Sequence, residues 1–355
     1  MDAPPADSLK QTATNWTTNT RIEEIAASLV SARDVVVLTH AKPDGDATGS
    51  SLAVVRALQH LNVMAAAHYF GPIPAWLKEI AGTTPHHVYE NTTLPTTLPA
   101  DAVVIVDTGS WTQLEPMKDW LSTRTSMASL LDHHVQGNPD VAARRFIETT
   151  AAAACQPAAR LCMALLQVPT ADKLPSDVAE ALYLGLATDT GWFRHSNVTR
   201  SVMELAGQLL DAGADHVRLY QTMEQNETQG RLRLISRALN SLDLRLDNRL
   251  ALMTLTQEDL RESGALPGET GGLTDFTQGI ASVQVSGVLL EVPGDKPGTR
   301  IVKISLRSKP GPVDVNAIAG TLGGGGHVRA AGAKVKMTLD EAKDTVTRLV
   351  SEQLR

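Results

Sequence analysis

The sequence predicts an α/β protein with three parts: an N-terminal, mostly parallel sheet flanked by helices, a helical connector, and a smaller C-terminal α+β domain. Three observations predict it. Apolar runs at Asp34–Thr39, Ala102–Val106 and Ala128–Leu131 have the composition of strands buried on both faces, as in parallel sheets. Polar loops and helical patterns alternate with these runs. Beyond them a charged helical stretch leads into strand patterns punctuated by Pro and Gly. The boundaries follow as 20–198, 199–245 and 246–355.

Each element has its own warrant. Ile22–Leu29 carries helical periodicity and precedes the first strand. A polar loop, His40–Asp46, leads to a helix over about Thr48–Leu61, and a later helix from Val178 ends near Asp189. Thr199–Leu242 reads as the connector. Leu250–Leu255, Val283–Val292 and Arg300–Leu306 suggest strands, with Pro293–Gly298 as a hairpin loop between the last two. Val315–Ala319 begins a short helix before the glycine run Gly323–Gly326, and a last helix covers Leu339–Gln353.

At 355 residues, the chain has room for about two domains at roughly 100–200 residues each. Its 32 Lys+Arg against 39 Asp+Glu leave a formal net charge of −7, which argues against gripping nucleic acid by bulk charge. Aromatics at 4% leave few stacking platforms for a long single strand. Cys155 and Cys162 lie on one helical pattern, too far apart for a disulfide, and read as buried thiols in a reducing compartment. The polar opening Met1–Asn19 lacks a signal-peptide core, and no run approaches the roughly 18 apolar residues of a membrane span. A cytoplasmic protein without membrane contact is the expectation.

Chemistry concentrates in five segments. His40-Ala-Lys-Pro-Asp44-Gly-Asp46 places one imidazole and two carboxylates in the loop after a buried strand, with Gly45 expected to ease a tight backbone path. It reads equally as an Asp-rich turn with an N-capped helix. Asp107 ends the second apolar run, and Asp132-His133-His134 ends the third. Adjacent histidines project differently, so one can bind a metal while the other faces a substrate; His86-His87, in what reads as a polar loop, is the unremarkable counterpart. Asp189 closes its helix before Thr190-Gly191. Finally, Gly323-Gly-Gly-Gly-His327-Val-Arg329 offers closely approachable backbone N–H groups, as phosphate-binding nests do. Arg307 just upstream could clamp a phosphate with two hydrogen bonds or simply be a solvated strand end.

Ligands in open α/β sheets collect beyond the carboxyl ends of the strands, where Asp44, Asp46, Asp107 and Asp132 fall. Imidazole and carboxylate donors without thiolate suit Mn²⁺ or Mg²⁺, with zinc and cobalt as substitutes. Two His and four Asp exceed what one such ion takes when it must keep sites open for water and substrate. A pair of ions sharing a carboxylate is the natural solution, and its chemistry is displacement at phosphorus.

The ordered set His40/Asp44/Asp46, Asp107, Asp132-His133-His134 and Asp189 resembles the four motifs of the DHH phosphoesterases. Gly323–Gly332 resembles the signature of their DHHA1 companion domain, and the match runs from about Ile22 to Leu354. Within the superfamily the chain looks most like the two-domain nanoRNase/pAp phosphatases. These hydrolyse very short RNAs to mononucleotides and dephosphorylate 3′-phosphoadenosine 5′-phosphate (pAp).

The resemblance implies a manganese-dependent phosphoesterase with two Mn²⁺, Mg²⁺ or Co²⁺ being alternatives. One ion would be held by His40, Asp44 and Asp107, the other by Asp46, Asp107, His133 and Asp189, with Asp107 bridging. Asp132 would orient the histidines from behind, and His134 would face the scissile phosphate. Arg307, Gly325, Gly326 and His327, with Arg329 as a further candidate, would hold the terminal phosphate or nucleotide across an interdomain cleft. A homodimer is implied as well. One segment departs from the pattern: Ala154-Cys-Gln-Pro-Ala158 stands where many relatives carry Ser/Thr and Glu, which bears on packing beside the site. Other readings are a DHH enzyme acting on cyclic dinucleotides, polyphosphate or single-stranded DNA, and a non-catalytic nucleotide- or RNA-binding regulator.

Overall fold

The computed structural model describes residues 16–90, 92–294 and 300–354, so most of the expected loop at Pro293–Gly298 lies outside the described residues. The chain divides into two compact units, Met1–Gln225 and Asn226–Arg355.

The first unit holds a six-stranded, wholly parallel sheet: β1 (Asp34–Leu38), β2 (Met64–Phe70), β3 (His86–Tyr89), β4 (Ala102–Val106), β5 (Ala128–Asp132) and β6 (Arg144–Ile147). Its spatial order is β3-β2-β1-β4-β5-β6. Alternation along the central strands supplies both faces. Val35, Val37, Val104, Val106 and Leu131 pack under α1 (Ile22–Val30), α2 (Gly45–His60), α5 (Cys155–Leu166) and α6 (Ser176–Asp189). Val36, Leu38, Val103, Ile105 and Leu130 pack on the other side with Leu114, Met117 and Trp120, around the short α4 (Lys118–Leu121). A short α3 (Leu77–Ala81) joins β2 to β3. Because strand order reverses between β1 and β4, the loops leaving those two strands diverge and open a crevice at the sheet's carboxyl edge.

Several expectations need correction. The second helix begins at Gly45 rather than Thr48, because Asp44 caps it. Strands β2, β3 and β6 add to the three expected in this unit. His86 and His87 lie not in a polar loop but on edge strand β3, paired with Ala67 and His68. Both cysteines are free and buried.

The stretch expected as a connector is shared between the units. α7 (Arg200–Asp211) and α8 (His216–Glu224) bury Val202, Leu209 and Leu219 in the first core, whereas α9 (Gln229–Asn240) buries Leu234 and Ala238 in the second. The second unit's sheet runs β11-β12-β10-β9-β8-β7, from β7 (Asp243–Arg245), β8 (Leu250–Leu255), β9 (Val285–Pro293), β10 (Arg300–Ser308), β11 (Gly325–His327) and β12 (Ala330–Val335). All pairs are antiparallel except β8–β9. α12 (Val315–Thr321) and α13 (Leu339–Gln353) cover one face; α9 and α11 (Leu273–Gln278) cover part of the other, with α10 (Gln257–Ser263) beside α9. Among the described residues, no helix is long and apolar enough to cross a membrane.

Candidate metal centre

The loop after β1 caps α2 and also brings Asp44 close to His40. Asp44 is the N-cap of α2, its Oδ1 accepting from the N–H groups of Asp46 and Ala47 at 3.1 Å each, and the same oxygen lies 3.7 Å from His40 Nε2. Gly45 is helical and has no positive φ. A Cβ there would stand 2.3 Å from Thr188 Oγ1, so glycine is required by the close approach of α2 and α6, not by a tight backbone path.

Asp46, 1% exposed, points its carboxylate at the start of α5. Oδ2 accepts from Ala154 N–H, and Oδ1 accepts from Cys155 N–H at 3.0 Å and Ser50 Oγ at 3.2 Å. The Ala154–Ala158 departure therefore meets the site through backbone amides, which survive a change of side chain, and through the Cys155 thiol, which accepts from Ser50 Oγ at 3.3 Å.

Asp107 follows β4 at φ +61°, a left-handed conformation that Asp tolerates better than most residues. Its N–H still donates to Leu131 O. Its two carboxylate oxygens face different neighbours: Oδ2 is 3.4 Å from His40 Nε2, and Oδ1 is 3.4 Å from His133 Nε2. Around His133 Nε2, Asp46 Oδ2 lies at 4.0 Å and Asp189 Oδ2, from the last residue of α6, at 3.7 Å. Donor atoms of His40, Asp44 and Asp107 lie within 4.8 Å of one another, as do those of Asp46, His133 and Asp189, and those of Asp107, His133 and His134.

Each histidine has its Nδ1 engaged: His40 with Ala41 O at 3.0 Å, His133 with Ala151 O at 3.3 Å, His134 with Asp132 Oδ1 at 2.7 Å. Carbonyl partners require Nδ1–H, so Nε2 is the nitrogen that His40 and His133 present to the carboxylates, donating its proton to them or giving it up to a cation. Asp132, fully buried, also accepts from the N–H groups of His133 and His134 through Oδ1.

The charges fit a cation. Burial works against a charged His40, yet hydrogen bonds to Asp107 and Asp44 push its pKa up to about 10. His133 reaches about 9 against the same penalty, chiefly through Asp107. Burial, then repulsion from Asp107 and Asp189, pushes Asp46 well above the usual carboxylate range. Asp189 rises to about 6, mainly by burial. Asp46 and Asp189 hold protons that divalent cations would displace, and the oxygen and imidazole donors around them are those hard cations take.

In the second unit, register places Arg307 opposite Ala330, and Ala330 opposite His327, so Arg307 and His327 share one face across a small residue. Gly326, at φ +153°, admits no Cβ, which would meet Ala330 O at 2.4 Å. Gly325 begins the edge strand, opposite Gly332. Arg329 lies off this face, its Nη1 donating to Lys309 O. Arg307 also lines a recess of about 330 Å³ with Lys303, Ser305, Thr270 and Thr274. Lys303 and Ser305 escaped the sequence reading, although strand alternation from Arg307 would have found them. A concavity of about 1000 Å³ between α1 and α5 is lined by Ile22, Arg160 and Met163 and by none of the clustered Asp or His. Donor chemistry, not volume, locates the site.

A parallel sheet whose reversal point gathers these carboxylates and imidazoles, followed by a mixed-sheet unit, defines a two-unit α/β protein with a candidate cation site in its first unit. The chain carries a DHH and a DHHA1 domain: residues 34–186 match the DHH family N-terminal domain, and residues 249–354 match the DHHA1 domain. It is 29% identical over 321 residues to the bifunctional oligoribonuclease and PAP phosphatase NrnA of Thermus thermophilus, covering 90% of each chain. It is 27% identical over 345 residues to the cyclic-di-AMP phosphodiesterase PdeA of Listeria monocytogenes, covering 91% of this chain and 48% of that protein. The crystal structure of an exopolyphosphatase-related protein from Bacteroides fragilis shares the fold, with a TM-score of 0.78 at 24% identity over 93% of this chain and 95% of that one.

Proposed function

We propose that this chain is a divalent-metal-dependent phosphoesterase that hydrolyses short oligoribonucleotides to mononucleotides and removes a phosphate from pAp. The carrying observation is Asp107, whose two oxygens face His40 on one side and His133 on the other. His40, Asp44 and Asp107 would hold one cation; Asp46, Asp107, His133 and Asp189 the other. When bound, such ions lower the pKa of water and offset charge on phosphoryl oxygens. Donors without thiolate suit Mn²⁺ or Mg²⁺, and the resemblance to the DHH phosphoesterases favours Mn²⁺.

The protein's own groups do the rest. Ala154 and Cys155 amides hold the Asp46 carboxylate in place. Asp132 accepts from His134 Nδ1, raises its pKa and leaves Nε2 to donate to a phosphoryl oxygen as negative charge develops. Arg307 and His327, sharing a face of the second sheet, would hold the remote phosphate with the Gly325–Gly326 backbone, which makes reaction an oriented encounter. A homodimer in the cytoplasm completes the reading.

The test is a purified-protein panel of pAp, di- to pentaribonucleotides, cyclic dinucleotides and polyphosphate, with Mn²⁺ or Mg²⁺. Turnover of pAp and short RNA is expected; turnover confined to cyclic dinucleotides or polyphosphate would overturn the substrate assignment. Asp107→Asn, which keeps a residue suited to φ +61°, should fold and lose activity.

A further inference from the structure

Trp16 belongs to a segment with no assigned role. Residues 16–20 run along the free edge of β6. Asn19 N–H donates to Arg145 O and its Oδ1 accepts from Arg145 N–H at 2.7 Å, while Thr18 Oγ1 both donates to Ile147 O and accepts from Ile147 N–H at 2.8 Å. This pairing delivers the Trp16 ring, 7% exposed, to the carboxyl edge of the sheet. There Nε1 donates to the backbone carbonyl of His134 at 3.0 Å.

The ring also explains two glycines. A Cβ on Gly109, two residues after Asp107, would lie 1.8 Å from the indole, and one on Gly137, three after His134, would lie 2.4 Å from it. Neither glycine has a positive φ, so both are needed for contact rather than for backbone freedom. Asn138 N–H donates to Gly109 O at 2.8 Å, which closes the junction.

We propose that Trp16 is a positioning residue for the loop that bears His133 and His134: its indole spaces the 107–110 and 133–138 loops and its N–H pins the His134 carbonyl. The inference rests on the phosphoesterase reading for its catalytic consequence, and on geometry alone for the loop.

The experiment compares wild type, Trp16→Phe, Trp16→Ala, Gly137→Ala and the Trp16→Ala/Gly137→Ala double variant. With pAp and Mn²⁺, Trp16→Ala should lower kcat by about 10–100-fold, the range for groups that orient an active-site histidine, and change KM much less. Trp16→Phe, which keeps a ring and loses the donor, should fall between and covers the case in which Trp16→Ala does not fold. Gly137→Ala should be costly alone and nearly silent beside Trp16→Ala, since the clash needs the ring. Amide hydrogen exchange of metal-free protein should quicken about tenfold at 133–138 in the Trp16 variants while β1 and β4 stay protected.

Unchanged exchange at 133–138, a uniform rise across the unit, or additive Gly137→Ala effects would each overturn the proposal. Inactive wild-type protein would instead overturn the phosphoesterase reading, with the exchange and double-variant stability arms still deciding Trp16.

Discussion

Asp132 Oδ1 stands 2.7 Å from His134 Nδ1, and the same oxygen accepts the N–H groups of His133 and His134. One buried atom thereby sets the ring of His134 and the backbone of both histidines. Asp132→Asn keeps the shape and an amide oxygen for the backbone but loses the charge that favours His134 Nδ1–H. The expected result is a fall in kcat of about 10–100-fold with KM for pAp little changed, read by steady-state kinetics. An unaltered kcat would remove Asp132 from the orienting role.

Metal and pH should be linked with a definite sign. In the metal-free protein His40, His133 and Asp189 hold protons up to about pH 10, 9 and 6. All three values are raised, so the folded state binds more protons than the unfolded chain across this range and stability falls as pH rises. The histidines' contribution is complete below about 6.5 and is lost through their folded values; Asp189 becomes unfavourable as it ionises. Cations replace those protons. The rise in Tm on adding Mn²⁺ should therefore be larger at pH 8.5 than at pH 6, measured by scanning calorimetry. A larger rise at pH 6 would contradict the proposed ligand set.

Gly185 on α6 faces Asp46 so closely that a Cβ would meet Cys155 Sγ at 2.0 Å and Asp46 Oδ1 at 2.7 Å. The helices cannot part easily, since Gly49 on α2 already sits against the Ala181 carbonyl. Gly185→Ala should cost about 1–3 kcal/mol of stability, in the range for overpacked cores, and weaken Mn²⁺ binding. Gly207→Ala on α7, where a Cβ meets nothing within 4 Å, is the control and should be neutral or slightly stabilising. Denaturant midpoints separate the two.

Arg307 should act on binding rather than on chemistry. On the proposed assignment Arg307→Ala would remove a charge-assisted contact to a phosphate, a loss of about 1.5–3 kcal/mol, and should raise KM for pAp by about tenfold or more with kcat far less affected. Loss confined to kcat would place Arg307 elsewhere in the mechanism.

Much of this was legible in the sequence for a physical reason. Strands β1, β4 and β5 are buried on both faces, so their apolar runs are self-evident, and the residues that end them are the clustered Asp and His. α13 shows its helical period together with a Thr338/Glu341 capping box, and its limits were readable to the residue. The Ala-rich β2, the edge strand β3 and the arginine-led β6 have no such signature, because their pairing is decided by neighbours distant in the chain. Asp44 was readable both as a cap and as a ligand; only coordinates show that one oxygen lies within reach of both tasks.

The sequence by itself determined the chemistry available: which carboxylates and imidazoles end which strands and helices, and that a Gly-His segment follows Arg307. Tertiary structure alone decided how they meet. Strand order sets β1 beside β4, which puts His40 against one oxygen of Asp107 and leaves the other for His133. The glycines at 45, 109, 137 and 185 have their meaning only there, in a helix or an indole that arrives from far along the chain. Periodicity is local and can be read in order, whereas close approach between distant segments exists only once the chain has folded.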